Sequence, residues 1–352
     1  MKHKLKLFAR WLVSRVLHLT GLRALFRRSR SGVPVLMFHN VGHPAATDYL
    51  PGHMKISEAR FERLLRFLKR AGYRTITLGQ MAAELSEGRV PDDAVVLTFD
   101  DGYRDNHDLL LPLLQAYDAT ATVFVQTGPM AGRLNWLHHY FWVLDKEGPR
   151  RLGELLGERL EKPHLRDELC GLPLDPVAAE YQLKRMLKYE LAADDRDRIL
   201  AAVFAELGGD DAALAKAVYL GPDECRALDQ AGVEIGAHTV NHLILSSLDE
   251  ARQRKEIEGS LRVLESWVGH EVTSFAYPYG RTWDYDQHTL QLLTELGFRC
   301  AITAMPGLND AETPAFELRR IAMCDETPLA EVLCEVDGAF DWFRRKGLEL
   351  TA

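Results

Sequence analysis

The amino-acid sequence predicts an α/β fold in which a parallel sheet is covered by helices on both faces. Short apolar runs of strand length recur along the chain, and amphipathic helical segments separate most of them. Strands that are buried on both faces have such nearly continuous apolar sequences. The alternation of strands and helices favours a parallel sheet, which can be either closed or open.

The first part of the chain supplies four predicted strands, at residues 33–38, 75–78, 94–99 and 121–125. A helix is predicted to begin after Ser57, because Ser is a good N-cap residue and apolar residues then recur at helical spacing until Gly72. Further helices are predicted through residues 81–85 and 109–114.

The alternation lapses between residues 128 and 218 and then resumes. The resumed part contains predicted helices at 223–231, 248–268 and 287–296, and predicted strands at 233–235, 273–277 and 299–303. The intervening stretch is charged and helix-prone, so residues 129–217 are predicted to form a helical insertion in one loop. The predicted sheet domain then comprises residues 31–128 and 218–330, and residues 331–352 are predicted to form a C-terminal helix.

Aromatic and histidine side chains cluster at the start of the predicted insertion: Trp136, His138, His139, Tyr140 and Trp142. Packing of the insertion is the favoured interpretation, with stacking on a sugar as the alternative.

The composition is that of a folded protein, with 47% hydrophobic and 27% charged residues among 352. The net charge of −8 argues against nucleic acid as a partner. The five cysteines are scattered and form no C-x-x-C pair, which indicates reduced thiols rather than a disulfide framework or a zinc cage. A cytoplasmic location is therefore predicted.

Residues 1–30 differ from the rest of the chain, because they hold nine Lys or Arg residues and no Asp or Glu. Arg10 and Arg15 interrupt the apolar run, which argues against a signal peptide and against a membrane-spanning helix. Apolar residues recur at roughly helical spacing: Leu7, Trp11, Leu12, Val16, Leu19, Leu22 and Leu25. Peripheral contact with an anionic inner membrane surface is one hypothesis. A helix packed on the protein's own body and a frayed terminus are the alternatives.

Three predicted strands end in polar or turn-forming residues. The strand at 94–99 leads into Asp100 and Asp101, the strand at 233–235 leads to His238 and His242, and the strand at 273–277 leads to Pro278-Tyr279-Gly280. Functional groups gather at the carboxyl ends of strands in parallel α/β folds. The placement predicts one shared site.

The residue types at these strand ends suit a catalytic metal. Asp-Asp-Gly alone is usually a turn, and a single H-x-x-x-H is usually coincidence. Together, Asp101, His238 and His242 provide one carboxylate and two imidazoles, which leaves coordination positions open, as in catalytic zinc sites. Asp100 would then be free to act as a general base, and the sequence predicts a hydrolytic centre.

These three segments also resemble motifs of a known family. Residues 98–102 (TFDDG), 238–242 (HTVNH) and 277–280 (YPYG) are similar to the first three motifs of the polysaccharide deacetylase family, also called NodB-homology or carbohydrate esterase family four. The resemblance implies a distorted (β/α) barrel, a divalent metal that is usually zinc, and hydrolysis of acetamido groups on glycans. It also implies that Asp100 is the base, that Asp101, His238 and His242 are metal ligands, and that the Tyr279 N–H stabilises the oxyanion.

The sequence departs from the family pattern at two places. Ala276 stands where the third motif usually has an arginine, and the late Leu-x-His motif that supplies the general acid is absent. A branch of the family that acts on poly-N-acetylglucosamine is similar in having a histidine near its first strand. We therefore expect His39 to be the substitute acid, and Arg320 to be the substitute partner of Asp100. A structural histidine and an ordinary salt bridge are the alternatives.

The predicted function is metal-dependent removal of N-acetyl groups from an N-acetylglucosamine-type polysaccharide or glycan precursor. Two alternatives remain open at this point. One is a non-catalytic glycan-binding or assembly protein on the same fold, and the other is a deacylase of a small or lipid-linked N-acyl sugar.

Overall fold

A computed structural model of the protein describes the backbone of residues 2–348 and the side chains from Lys6 onward. The strands are β1 (Val33–Phe38), β2 (Asn40–Val41), β3 (Lys55–Ile56), β4 (Arg74–Ile76), β5 (Ala94–Phe99), β6 (Thr122–Val125), β7 (Glu234–Ala237), β8 (Ser274–Ala276), β9 (Cys300–Ile302), β10 (Leu308–Asn309) and β11 (Ile321–Ala322). The helices are α1 (Lys2–Thr20), α2 (Arg23–Arg28), α3 (Glu58–Arg70), α4 (Leu78–Ser86), α5 (Leu111–Tyr117), α6 (Trp136–Gly157), α7 (Pro163–Cys170), α8 (Pro176–Tyr189), α9 (Ala193–Glu206), α10 (Asp211–Val218), α11 (Pro222–Gln230), α12 (Glu250–Val268), α13 (Gln287–Glu295), α14 (Leu329–Val336) and α15 (Ala339–Arg345).

Nine strands of the described chain form one curled sheet. Its central path runs β10-β1-β5-β6-β7-β8-β9, with β4 pairing beside β5 and β11 beside β1. Every pairing in this sheet is parallel except that of β1 with β10. The predicted distorted (β/α) barrel is confirmed as a curled, half-barrel sheet with many helices.

The central strands are buried because their sequences are apolar on both faces. All six residues of β5 and all four of β6 are buried. Helices α3 and α4 bury an apolar stripe each, which explains why the helical spacing in the sequence located them.

Some boundaries differ from the prediction for local reasons. The strand expected at 75–78 ends at Ile76, because the Thr77 side chain accepts a hydrogen bond from the Gln80 N–H and caps α4 instead. The first two residues of the helix expected at 109–114 belong to a π-helical turn, Asn106–Leu110, and α5 follows at Leu111. Ser57 does precede α3, but its hydroxyl and N–H both donate to Asp325 rather than capping the helix.

Residues Pro44–Pro51 and Gly128–Tyr219 form a compact unit of their own, and the rest of the chain forms another. The smaller unit is built from α6 to α10, with α6 packed against α7, α8 and α9. The aromatic cluster lies inside it: Trp136, His138, His139 and Tyr140 are buried. The Trp142 ring contacts Phe204 edge-on, at 4.6 Å between centroids. This burial agrees with a packing role for the cluster.

The two ends of the described chain pack together. Helix α1 lies against α14, and α2 contacts both α14 and α15. The single C-terminal helix predicted over residues 331–352 is wrong, because Gly338 at φ +79° breaks the helical path between α14 and α15. Residues 349–352 of that prediction lie outside the described chain.

Among residues 2–348, none of the helices combines enough length and apolar character to cross a bilayer. All five cysteines are free, and three of them are buried.

Candidate active site

The register of the sheet brings the predicted site residues to one edge. Phe38 in β1 pairs with Phe99 in β5, so His39 and Asp100 follow neighbouring strand ends, and the Asp100 N–H donates to the Phe38 carbonyl at 2.9 Å. Val125 in β6 pairs with Ala237 in β7, so His238 also lies at this edge. The convergence expected from the sequence follows directly from parallel pairing.

Asp100 forms a buried ion pair with Arg320. Arg320 Nη1 donates to Asp100 Oδ1 at 2.6 Å, and Arg320 Nε donates to the Thr303 carbonyl at 2.8 Å. Both side chains are almost inaccessible to solvent, at 1% and 6% exposure for Arg320 and Asp100. Burial disfavours the charged carboxylate, but the charge of Arg320, with those of His238 and His39 in their protonated forms, outweighs it and lowers the pKa of Asp100 to about 2. Asp100 is therefore ionised at neutral pH.

Asp101, His238 and His242 form a cluster of potential metal ligands. Asp101 Oδ1 lies 3.7 Å from His238 Nε2 and 3.5 Å from His242 Nε2. One ligand atom from each of the three buried residues lies within 4.8 Å of the other two. The Asp101 oxygen is close enough to each imidazole nitrogen for both atoms of either pair to bind one ion at the zinc distances of about 2.0–2.2 Å.

The charge state of the cluster also fits a cation. Burial and the neighbouring charge of Asp100 raise the pKa of Asp101 to about 7, so ionisation of Asp101 is unfavourable without a compensating positive charge. Burial also lowers the pKa of His238, which favours the neutral imidazole that a metal requires. The donor set of two imidazoles and one carboxylate therefore fits a divalent ion.

Neighbouring groups fix the orientation of the cluster. His238 Nδ1 lies 2.8 Å from the Ala276 carbonyl, which leaves Nε2 directed toward Asp101. Gln126 Nε2 donates to Asp101 Oδ1 at 3.2 Å, and Gln126 is fully buried. Such outer contacts orient metal ligands and select the histidine tautomer. Gln126 was missed in the sequence, although it directly follows β6 and so occupies the same kind of strand-end position as Asp100.

Backbone strain is concentrated at this site. Five described residues other than glycine have positive φ, and four of them lie here: Asp101 (75°), Thr239 (65°), His242 (55°) and Tyr279 (63°). Each such conformation costs about 1–3 kcal/mol and persists only where the surroundings enforce it. The Tyr279 ring also packs against the His242 ring, with 4.8 Å between centroids. The YPYG turn is thus held beside the ligand cluster.

His39 lies among the charged groups of the site, since its pKa responds to Asp100, Arg320 and His238. Burial is the dominant influence and lowers the pKa of His39 to about 4. The lowered pKa favours the neutral ring at pH 7. Asn106 Nδ2 donates to the His39 carbonyl at 3.2 Å and holds its backbone in place.

Asp105 supports the segment that follows His39. Asp105 Oδ1 accepts hydrogen bonds from the Val41 N–H at 3.0 Å and from Asn106 Nδ2 at 2.9 Å. Burial raises the pKa of Asp105 to about 7, although both hydrogen bonds oppose the rise. Asp105 could not be predicted from the sequence, because an acid near the start of a helical segment has no distinctive pattern.

All seven predicted site residues therefore lie at this end of the sheet. The ligand cluster and the Asp100–Arg320 pair provide, side by side, a place for a Lewis-acidic ion and an ionised carboxylate. Positioned next to an amide carbonyl, these groups can support hydrolysis.

Comparisons with known proteins agree with this chemistry. YxkH of Bacillus subtilis (strain 168), whose name assigns it provisionally to the polysaccharide deacetylases, is 21% identical over 290 residues, covering 82% of this chain and 70% of YxkH. The Escherichia coli (strain K12) poly-β-1,6-N-acetyl-D-glucosamine N-deacetylase is 31% identical over 88 residues, which are 25% of this chain and 13% of that protein.

Solved structures share the fold. The Streptococcus pyogenes deacetylase PplD, solved in complex with acetate, matches with a TM-score of 0.58 and 20% identity, covering 87% of this chain and 98% of PplD. IcaB from Ammonifex degensii matches with a TM-score of 0.53 and 17% identity, covering 87% of this chain and 97% of IcaB.

A sequence model of the polysaccharide deacetylase family matches residues 87–157 and 195–301, just over half of the chain. The prediction of the family, and with it of a carbohydrate deacetylase among the hydrolases, is confirmed. This chain belongs to the polysaccharide deacetylase family.

Proposed function

We propose that this protein is a metal-dependent deacetylase that removes N-acetyl groups from an N-acetylglucosamine-type polysaccharide or glycan precursor. The observation that carries the proposal is the position of the ionised Asp100–Arg320 pair directly beside the cluster of Asp101, His238 and His242. The poly-β-1,6-N-acetyl-D-glucosamine N-deacetylase from Escherichia coli supports the choice of sugar.

Asp101, His238 and His242 would hold the metal. Two imidazole nitrogens and one carboxylate oxygen suit zinc, which is the ion we propose. A divalent ion bound there would lower the pKa of water and polarise a carbonyl oxygen. Gln126 and the Ala276 carbonyl keep Asp101 and His238 in their ligating orientations.

Asp100 would act as the general base. Arg320 keeps it ionised and fixes one of its oxygens, so the carboxylate can accept a proton from water as the water oxygen bonds to the acetyl carbonyl carbon. Negative charge then develops on the carbonyl oxygen, where the Tyr279 N–H would donate a hydrogen bond. The strained turn at Tyr279 is a reason to expect that this N–H has a fixed direction.

Breaking the carbon–nitrogen bond requires that the nitrogen gain a proton. A neutral His39 cannot supply one until it has itself been protonated. We therefore propose that the proton taken from water by Asp100 passes through His39 to the sugar nitrogen. Acetic acid and a glucosamine-like amine are then the products, the second water proton passes from the acid to the amine or to solvent, and Asp100 and His39 return to their starting states.

The overall proposal is tested by acetate release from N-acetylglucosamine oligomers by zinc-loaded protein, with Asp100→Asn as the control. We expect release by the wild type and a loss of about 10²–10⁴-fold in the variant, since the variant lacks the base. Release at equal rates by both proteins would refute the role of Asp100. Release only from other acetylated compounds would refute the proposed sugar.

The role of His39 is tested with two substrates for a His39→Ala variant. Amide hydrolysis should fall by about 10²–10⁴-fold, because the amine leaves only when protonated. Hydrolysis of an aryl acetate ester should fall much less, because a phenolate leaves without a proton. Equal losses on both substrates would indicate that His39 has only a structural role.

A further inference from the structure

We infer that helix α1 is a membrane-docking element that binds the surface of an anionic bilayer through its outward apolar face. The inference concerns residues 1–30 and does not depend on the proposed catalytic function. The evidence is that side chains on one face of α1 contact the protein body, whereas those on the opposite face are exposed to solvent.

One face of α1 is fastened to the protein. Arg10 Nε donates to Glu331 at 2.6 Å, and Arg10 Nη2 donates to Glu335 at 3.0 Å. Ser14 and Leu17 are also buried, and Leu17 packs with a cluster from α14 and α15. These contacts fix which way the opposite face of the helix points.

That opposite face is apolar and exposed. Phe8, Leu12, Val16 and Leu19 follow at i, i+4, i+8 and i+11, a spacing that places them in one stripe. Their exposed fractions are 58%, 46%, 46% and 78%. All seven residues whose spacing suggested an apolar stripe in the sequence are among the exposed large hydrophobic residues. Of the predicted residues, Leu12, Val16 and Leu19 belong to this exposed stripe, which lies opposite the face that carries Arg10, Ser14 and Leu17.

Aromatic and basic side chains flank the stripe. The Trp11 ring stacks on Phe8 at 5.8 Å between centroids, and the Arg15 guanidinium lies 5.1 Å from the Trp11 ring centroid. Arg15 and Lys6 of α1 are exposed, as is Arg28 in α2, and residues 1–30 contain no acidic residue. An apolar stripe with an aromatic ring and flanking cations is typical of helices that lie in the headgroup region of a bilayer.

Charge favours lipid over a second copy of the chain as the occupant. Two such faces placed together would bring basic residues from both copies close to one another, with no acid in either segment to compensate. An anionic bilayer provides both an apolar layer and the opposite charge. The same helix lines a cavity of about 550 Å³ together with Arg320, so docking would bring that cavity close to the headgroups.

The test is co-sedimentation of the full chain with vesicles of phosphatidylcholine alone or with phosphatidylglycerol added. We expect binding to the anionic vesicles, weakened by salt, and a loss of about tenfold or more in partitioning for Phe8→Ser/Leu19→Ser. The matched control is Leu174→Ser/Val177→Ser, which removes two residues that are 80% and 76% exposed in the smaller unit. The control should bind like the wild type.

A second measurement, of tryptophan fluorescence, tests the inference on the wild-type protein in case the double variant fails to fold. Brominated lipids should quench the Trp11 fluorescence of the intact protein, and a Trp11→Phe variant should lose that quenching. Equal binding to neutral and anionic vesicles, or unchanged binding by Phe8→Ser/Leu19→Ser, would overturn the inference. Dimerisation of the wild type through this face without vesicle binding would overturn it in favour of a second copy.

Discussion

Replacing Arg320 by methionine tests the electrostatic arrangement of the site. The substitution keeps an apolar stem but removes the Nη1 bond to Asp100 and the Nε bond to the Thr303 carbonyl. Asp100 is then left charged and buried, with 6% of its side chain exposed. Removing one partner of a buried ion pair costs about 3–5 kcal/mol of folding free energy. We therefore expect Arg320→Met to lower the free energy of unfolding by that amount.

The assay is urea unfolding at pH 7 with chelator in every sample, so that metal affinity does not contribute. Arg74→Met is the matched control, because Arg74 pairs with Asp93 at 3.1 Å and both side chains are about half exposed. An exposed pair contributes only about 0–1 kcal/mol. If Arg320→Met lowers the free energy of unfolding no more than Arg74→Met does, the buried Asp100–Arg320 pair is worth no more than an exposed one.

A double variant separates loss of the arginine from exposure of the carboxylate charge. Asp100→Asn removes that charge, so Arg320→Met/Asp100→Asn should be less destabilised than the sum of the two single variants. The expected coupling is about 0.5–3 kcal/mol. Additive losses would mean that the two side chains do not interact as the 2.6 Å contact indicates.

Two further predictions concern residues that support the site. Gln126→Leu removes the hydrogen bond to Asp101, so we expect zinc affinity to fall by about 10–100-fold in a calorimetric titration. Unchanged affinity would mean that Gln126 does not orient Asp101. Burial raises the pKa of Asp105 to about 7, so between about pH 4 and 7 the folded protein binds a proton there that the unfolded chain releases. The free energy of unfolding therefore falls as the pH rises through that range. Asp105→Asn, which keeps an acceptor oxygen, should raise the urea midpoint at pH 8, with a gain that shrinks toward pH 4; a pH-independent difference would contradict this.

The central strands could be predicted from the sequence because their apolar character is continuous. All six residues of β5 are buried, and the predicted range 94–99 coincides with its bounds. The two-residue strands β2, β3, β10 and β11 could not be predicted in this way, since two residues are too few to carry a pattern. Their pairing depends on segments that are distant in sequence, such as β10 with β1.

The site was predictable to the extent that strand ends identify it. Asp100, Asp101 and His238 lie directly after apolar strands, and the same rule could have identified Gln126. Arg320 was different, because it contacts Asp100 across 220 positions of sequence and no local pattern connects the two. Only resemblance to a family suggested that pair. The low pKa of His39 depends on burial, which the sequence did not reveal.

The sequence also did not predict which face of α1 packs on the body. The apolar spacing in residues 1–30 was visible, but the helix attaches through the Arg10 ion pairs and Leu17 instead. Nearly every turn of α1 carries apolar residues, so periodicity could not determine which face is buried. The cytoplasmic location suggested by the cysteines stays a prediction.

If Asp101, His238 and His242 hold an ion that deacetylation requires, acetate release must depend on occupancy of that cluster. The most direct test measures metal content and acetate release in the same samples, before chelation, after chelation and after zinc is restored. We predict that release follows occupancy, reaching its maximum at one equivalent per chain, and that His242→Ala loses both together. Full acetate release from protein stripped of metal would show that deacetylation does not require an ion at this cluster.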